Sequence, residues 1–338
     1  MKLRSIIFIG IIFLVMSGCD SILTNDSNDN PINYKWEIDS ISHNFDNYLS
    51  LEAVEMLYYD QDDIYILCES MYPHGLYFHY NGEEWKQHSV RATKQINSLC
   101  KFDDKIYCAA GLDEHQGRVL SFNRWEWEWT SQLTTNNEFL DIWSDGTDNI
   151  WVGGLGGYLY HYDGQDWKEH NLPAPIWIRE FSGPSMDKLY ALGYYLHSHS
   201  TRVGDAYLLK WTGEKWSIVD QFAMDNFSRT EYPFGYVDLY VTDDYIYTCG
   251  SGLFRKMHDE QEWTQLDDHN YNNIFASSSN NIYAVGNYGL VNYWNGKKWQ
   301  ELGIPYEERI YYENGFTDGE QVYILGYGDD KAYLIHGH

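Results

Sequence analysis

From Tyr34 to the C-terminus, short apolar and aromatic runs alternate with polar turns, and two phrases recur in step. The first is an aromatic-rich run, a turn containing Gly, and then a Trp. It reads Tyr80-Asn81-Gly82-Glu83-Glu84-Trp85, Tyr162-Asp163-Gly164-Gln165-Asp166-Trp167, Trp211-Thr212-Gly213-Glu214-Lys215-Trp216 and Trp294-Asn295-Gly296-Lys297-Lys298-Trp299, with weaker copies ending at Trp127 and Trp263. Asn-Gly or Asp-Gly between apolar runs predicts a hairpin, since both central residues tolerate positive φ. The second phrase is β-branched and aromatic, as in Asp63–Leu67, Lys105–Cys108, Asn149–Gly153, Lys188–Gly193, Tyr245–Thr248, Asn281–Gly286 and Gln321–Gly326. Such runs suit central strands. A further strand precedes each of them across a polar turn.

Each repeat therefore supplies four strands, a to d, with the Trp on d. Successive Trp residues stand 36 to 49 apart, the length of a propeller blade. No segment has convincing helical periodicity, which excludes a βαβ fold. The expectation is an all-β, seven-bladed β-propeller over residues 34–338. The seventh repeat stops after strand c (Ala332 to His336), and an unpaired Trp strand, Tyr34 to Ile38, stands at the other end. This N-terminal strand is expected to close the ring by pairing with the C-terminal blade, which removes an open edge.

Ile150 to Gly164, with Ile282 to Gly296 as a second match, resembles the propeller repeats in sensor domains of bacterial two-component regulators. The resemblance covers about two strands per blade and implies the fold alone. At the N-terminus, Lys2 and Arg4 precede an apolar run, Ile6 to Met16, with the pattern of a secretory leader. Met16-Ser17-Gly18-Cys19 resembles the lipobox of bacterial lipoproteins. That resemblance implies a signal peptide over residues 1–18 and lipidation of Cys19. Residues 19–33 then form the lipidated cysteine and a polar tether, whose Asp20–Asn33 stretch reaches about 20 Å as a random coil. The expected location is the cell envelope, lipid-anchored, periplasmic or surface-exposed.

Charge narrows the partners. The 338 residues carry 50 Asp and Glu against 23 Lys and Arg, a net charge of −27. Repulsion from phosphate argues against nucleic acid and against a peripheral hold on anionic lipid, so the membrane is reached only through Cys19. Cys68, Cys100, Cys108 and Cys249 form no metal spacing and fall inside predicted strands, where they read as buried free thiols.

In a propeller the b–c and d–a connections share one face. The insertions fall there: Tyr194 to Asp205, Asp220 to Gly235, Glu69 to His74 and Gly111 to Gln116. Long loops on a rigid scaffold are where binding concentrates. The ligand-binding candidates are Tyr72, His74, Tyr194, Tyr195, His197, His199, Arg202 and Tyr232 on the loops. At the starts of a strands, beside the central channel, they are Glu138, Arg179, Glu180 and Arg309, with Glu55 and Asp141. Rings beside carboxylates and arginines suit a protein or glycan ligand.

Chemistry is weaker. His197 and His199 would share a side of an extended segment, with no third zinc ligand. The acidic pairs Asp60–Asp63, Asp103-Asp104, Asp243-Asp244 and Asp329-Asp330 recur at one hairpin position, which favours turn chemistry over calcium. Ser144-Asp145-Gly146-Thr147 resembles a single incomplete Asp-box of sialidase-type propellers. No cofactor, metal or catalytic residue is assigned. The reading is a monomeric binding or protein-interaction module. The alternative is a carbohydrate-active enzyme, a glycoside hydrolase or lyase, with Glu138 and Glu180 as paired channel carboxylates.

Overall fold

The computed structural model describes residues 34–42, 51–70, 74–113, 116–124, 128–198, 203–224, 232–304 and 310–338. All seven Ile–Tyr-type phrases supply a strand, starting one or two residues late at Ile150, Tyr190 and Val322, as their alternating β-branched and aromatic side chains favour. β1 (Trp36–Ile41) precedes a first antiparallel sheet of β2 (Leu51–Asp60), β3 (Asp63–Ser70), β4 (Gly75–Tyr80) and β5 (Trp85–Val90). The second contains β6 (Gln95–Phe102), β7 (Lys105–Asp113), β8 (Gln116–Asn123) and β9 (Glu128–Thr135). The third contains β10 (Phe139–Ser144), β11 (Ile150–Gly154), β12 (Leu159–Tyr162) and β13 (Trp167–Glu169). The fourth is β14 (Trp177–Ser182), β15 (Tyr190–Ser198), β16 (Val203–Trp211) and β17 (Trp216–Met224).

A six-stranded sheet follows, from β18 (Asp238–Val241), β19 (Tyr245–Met257) and β20 (Thr264–Ser278) to β21 (Asn281–Gly286), β22 (Val291–Trp294) and β23 (Trp299–Glu301). Its long strands each serve two neighbours. The first half of β19 pairs with β18, and its second half, Ser251–Arg255, pairs with β20. The Arg255 guanidinium carbon lies 4.4 Å from the centre of the Tyr245 ring. A straight strand would hold those residues about 33 Å apart. β19 therefore folds back at Gly250 and Gly252, whose φ values are 150° and 118°. β20 pairs with β19 up to Asn270 and with β21 from Tyr271 onward.

The last sheet has the order β1, β26 (Lys331–Gly337), β25 (Val322–Gly328), β24 (Tyr311–Thr317). β1 joins it antiparallel, from Trp36 opposite Gly337 to Ile41 opposite Ala332. Lys35 and His338 exchange backbone hydrogen bonds beyond that ladder. Gly337 leaves room for the Trp36 ring, because a Cβ there would fall 2.7 Å from it.

First strands touch in sequence: β2 with β6, β6 with β10, β10 with β14, β14 with β18, and β18 with the β20 that begins the next repeat. β20 then touches β24, and β24 touches β2. Apolar clusters fill the spaces between successive sheets. One joins Ile66, Phe78 and Leu76 to Leu325 and Leu334 across the first and last sheets; another joins Trp151, Leu159 and Ile178 to Leu209 and Trp216. Cys68, Cys100, Cys108 and Cys249 are buried free thiols within these strands.

Several local expectations change. The c–d turns are not two-residue hairpins. Only the glycine has positive φ, at Gly82, Gly164, Gly213 and Gly296. The residue before it caps the turn instead: Asn81 Oδ1 accepts the N–H groups of Glu83 and Glu84 at 3.2 and 3.0 Å, and Asp163 and Asn295 repeat the pattern. Trp127 lies outside the described residues, while Trp129 stacks on Phe122 at 4.9 Å. Asp329-Asp330 is not at the same hairpin position as the other acidic pairs; it joins β25 to β26, on the opposite end of the strands. Asp145 Oδ1 accepts three N–H groups, from Thr147, Asp148 and Asn149, so the Asp-box-like segment is a capped turn.

The supposed insertions are largely strand. Tyr194 to Ser198 and Val203 to Asp205 extend the β15–β16 hairpin rather than forming a loop. Asp220–Met224 belongs to β17, and Phe234 is fully buried against Phe222 and Trp263. Long polar-aromatic hairpins read as loops in the sequence because their outer faces are solvated.

Candidate functional site

The first strands converge, and their edges must be satisfied by something other than a ladder. Six of them carry a β-bulge at one position, at Val54, Asn97, Leu140, Arg179, Asn272 and Glu313. The side chain just after the bulge turns to the next sheet. Glu55 accepts the Leu99 N–H at 2.8 Å, Ser98 that of Ile142 at 3.4 Å, Asp141 that of Phe181 at 2.6 Å, and Asn314 that of Met56 at 3.3 Å. Asp238, in the strand without a bulge, accepts the Ile274 N–H at 2.7 Å. These groups form a girdle of sheet-to-sheet hydrogen bonds. Glu55 and Asp141, candidate ligand residues on sequence grounds, are therefore committed to holding adjacent sheets.

The bulged residues supply the complementary bond in alternate sheets. Asn97 Nδ2 donates to the Phe139 carbonyl at 2.5 Å, Asn272 Nδ2 to that of Tyr312 at 2.9 Å, and Arg179 Nε to that of Val237 at 2.7 Å. All three carbonyls stand at the same place on the following strand. Two asparagines and one arginine do one job.

Blade-equivalent position four departs from the rest. Glu180 follows the bulge as Glu55 and Asp141 do, yet among the described residues no bond joins it to Leu239, the residue in the equivalent place on β18; two residues further on, Ser182 Oγ accepts the Val241 N–H at 3.0 Å. The half-buried Glu180 carboxylate has no hydrogen-bond partner among the described residues. Burial raises its pKa well above the usual carboxylate range, helped by the charges of Asp141, Asp238 and Glu55 and opposed by Arg179. Asp238 is pushed up to about 6, chiefly by burial. Arg179 is exposed, and its terminal guanidinium nitrogens have no partner among the described residues. Adjacent, unspent donor and acceptor groups thus sit at the channel.

The remaining predicted residues divide. Glu138 is engaged at the seam between the second and third sheets, where its Oε1 accepts from Gln95 Nε2 at 2.6 Å and Asn97 Nδ2 at 2.9 Å. Glu180 stands instead among Asp141, Asp238 and Glu55, so the carboxylates brought together are not Glu138 and Glu180. Tyr194 and Tyr195 are successive on β15 and point to opposite faces. Tyr194 packs in the cluster shared with β18 and feels the Arg179 charge, while Tyr195 packs in the cluster shared with β11. Only Tyr194 can belong with Arg179. Tyr232 lies on the connection from β17 to β18, as expected, but is half-buried there and packs on Phe222 at 5.3 Å and Tyr236 at 5.6 Å. His197 is tied to Asp205 at 2.7 Å, and half-buried His74 precedes β4. Tyr72, His199, Arg202, Arg309 and Cys19 lie outside the described residues.

Histidines outside the predicted set have a structural use that sequence spacing hides. His79, His161 and His336 each face an aromatic across the strand pair, stacking on Tyr65, Trp151 and Tyr323 at 4.4, 4.4 and 4.3 Å. Each bonds a side chain two residues before that aromatic: Asp63 at 2.8 Å, Asn149 at 2.8 Å and Gln321 at 2.7 Å. Burial pushes His161 down to about 4 and also lowers His336.

At the opposite end of the strands, where Arg179 and Glu180 also stand, three tyrosines were not singled out by sequence. Tyr288 is 68% exposed, its ring 5.5 Å from Tyr311, which stacks on Tyr327 at 5.4 Å. Glu313, bulged on β24, is pushed up to about 7 by burial, and Arg179 opposes the shift. The only prior signal was an Asn-Tyr-Gly turn joining β21 to β22.

No family model matches the chain, and no curated protein matches its sequence. Solved structures do resemble it. A YCF48 structure bound to a D1 peptide superposes with TM-score 0.64 at 13% identity, covering 90% of this chain and 98% of that one. A catalytically inactive virginiamycin B lyase from Staphylococcus aureus, with quinupristin, gives 0.61 at 11%, covering 89% and 99%. The WD40 β-propeller domain of Doa1 gives 0.57 at 9%, covering 90% and 96%. At these identities the likeness establishes the fold: residues 35–338 form an all-β structure of the β-propeller type.

Proposed function

We propose that the chain is an exported, lipid-anchored propeller of seven blades that binds a protein partner at the channel end where Arg179 and Glu180 stand. One observation carries the binding reading. The girdle needs only an asparagine-like donor at position 179 and uses no acceptor at 180, as Asn97 and Asn272 indicate. Arg179 and Glu180 exceed what the fold requires, and a guanidinium beside a carboxylate suits the carbonyls and N–H groups of a peptide backbone. The YCF48 structure, similar in fold, holds a peptide.

Seven blades are supported by splitting the six-stranded sheet at the β19 reversal and at Asn270/Tyr271 of β20, which gives two units of four. The cycle of touching first strands then has seven members, and the β1–β26 ladder ties the ends. Class averages by negative-stain microscopy should count seven lobes; six would overturn the number. Deleting residues 34–42 should lower the melting temperature by more than about 10 °C, since it opens the edge of β26. The anchor reading rests on Met16-Ser17-Gly18-Cys19. Cys19→Ser should abolish incorporation of labelled palmitate and release the chain from membranes.

Cross-linking of the full chain in its native envelope, followed by capture, tests the binding reading. Arg179→Asn with Glu180→Gln should lose the captured protein while the fold persists. Undiminished capture would count against the assignment. The enzymatic alternative now rests on Glu180 with its raised pKa among Asp141, Asp238 and Glu55. Release of reducing ends from a polysaccharide, abolished by Glu180→Gln, would favour it.

A further inference from the structure

The turn joining β21 to β22 places Tyr288 and Gly289 at its two central positions, with φ of 60° and 81°, and Leu290 N–H donates to the Asn287 carbonyl at 3.3 Å. Two positive φ values in succession call for Asn, Asp or Gly. The corresponding turn of the last sheet obeys the rule, with Asp329 and Asp330 at 48° and 61°. A bulky residue at the first position is a genuine outlier and is strained. The strain brings no burial in return, because Tyr288 is the most exposed of the large apolar and aromatic side chains among the described residues. What it does is continue the Tyr327–Tyr311 stack into solvent.

Carboxylate charges act on that stack. The Tyr327 phenol is pushed up to about 12, first by burial and then by the charges of Glu313, Glu52 and Glu69, with Tyr311 contributing. Glu313 also anchors the seam, its Oε1 accepting from Asn272 Nδ2 at 3.2 Å. Ring faces with negative quadrupoles and a rim of acids complement a cation. They suit a neutral sugar less well, since a sugar gains nothing from the charges. The chain's net charge of −27 draws basic partners toward this mouth.

We propose that Tyr288, Tyr311 and Tyr327, rimmed by Glu313 and Glu52, form a subsite that receives a lysine or arginine side chain of a protein partner. It deepens, and rests on, the reading of this end of the propeller as the binding surface. The strained turn supplies an unusual test, because Tyr288→Asn relieves the backbone while removing the ring. Titrating the full chain with a capped peptide of alternating glycine and arginine should give saturable binding that weakens more than tenfold between about 0.05 M and about 0.5 M salt. Tyr288→Asn should melt no earlier than wild type and bind that peptide about three- to tenfold more weakly; Glu313→Gln should also weaken it. Equal affinity of wild type and Tyr288→Asn overturns the subsite, as does equal binding of a glycine–glutamate peptide. Loss of the captured partner by Arg179→Asn, with peptide binding unchanged by Tyr288→Asn, would leave the broader reading standing and remove this one.

Discussion

Asn97, Arg179 and Asn272 occupy the same bulged position in three sheets and donate to the same carbonyl of the next one. The residues that follow differ in fate. Asp141, in the equivalent place on the third sheet, is 5% exposed and holds both the Phe181 N–H and the Ser98 hydroxyl. Glu180, one sheet further, holds neither kind of partner among the described residues; the side-chain bond there is made two residues on, where Ser182 Oγ accepts the Val241 N–H. Two acids at one structural position thus divide between fold and surface chemistry. An acid beside the channel is no sign of a binding site until its hydrogen bonds have been counted.

That contrast can be broken most forcefully by truncation. Asp141→Ala should cost about 3 kcal/mol in urea unfolding, since it strands a buried N–H and a hydroxyl. Glu180→Ala should cost less than about 1 kcal/mol, and similar losses for both would erase the distinction. Next in size is a conservative exchange: Arg179→Asn should keep stability within about 1 kcal/mol while weakening partner capture about tenfold. A large loss of stability there would make Arg179 a structural residue.

Titration sharpens the same comparison at a smaller scale. The depressed pKa of His161, about 4, means that the unfolded chain binds more protons than the folded one between about 6.5 and about 4. Stability from this group is present above that window and lost as pH falls through it, and His161→Phe should flatten the loss. Raised carboxyls act oppositely. Glu313, at about 7, binds its proton more tightly when folded, so its share of stability falls as pH rises from about 4.5 to about 7. Glu313→Gln should remove that decline, the smallest of these effects; an unchanged slope would place the carboxyl in water.

How much of this the sequence revealed depends on the range of the interaction. The seven Ile–Tyr and Ile–Trp phrases are strands because each alternates on its own pleat, a property of neighbours two residues apart. The N-terminal Trp36 strand was legible from a deficit in the last repeat, and its register with Lys331–Gly337 follows. The turns at Gly82, Gly164, Gly213 and Gly296 were placed correctly, though their caps were mistaken for two-residue hairpins.

Other features had no local signature. Tyr194 and Tyr195 looked like one loop until the extended β15–β16 ladder put them on opposite faces. His79, His161 and His336 were overlooked because the partner that holds each one lies at or just before the start of the preceding strand. Burial and bulge position together decided that Asp141 braces a seam while Glu180 is left over.

The sequence by itself determined the all-β repeat, the place of its strands and the strongly acidic surface, since periodicity and composition are written along the chain. The tertiary structure alone decided which polar groups were spent on the fold. Their partners come from adjacent sheets some forty residues away, as Phe181 does for Asp141. No window of sequence contains both ends of such a bond.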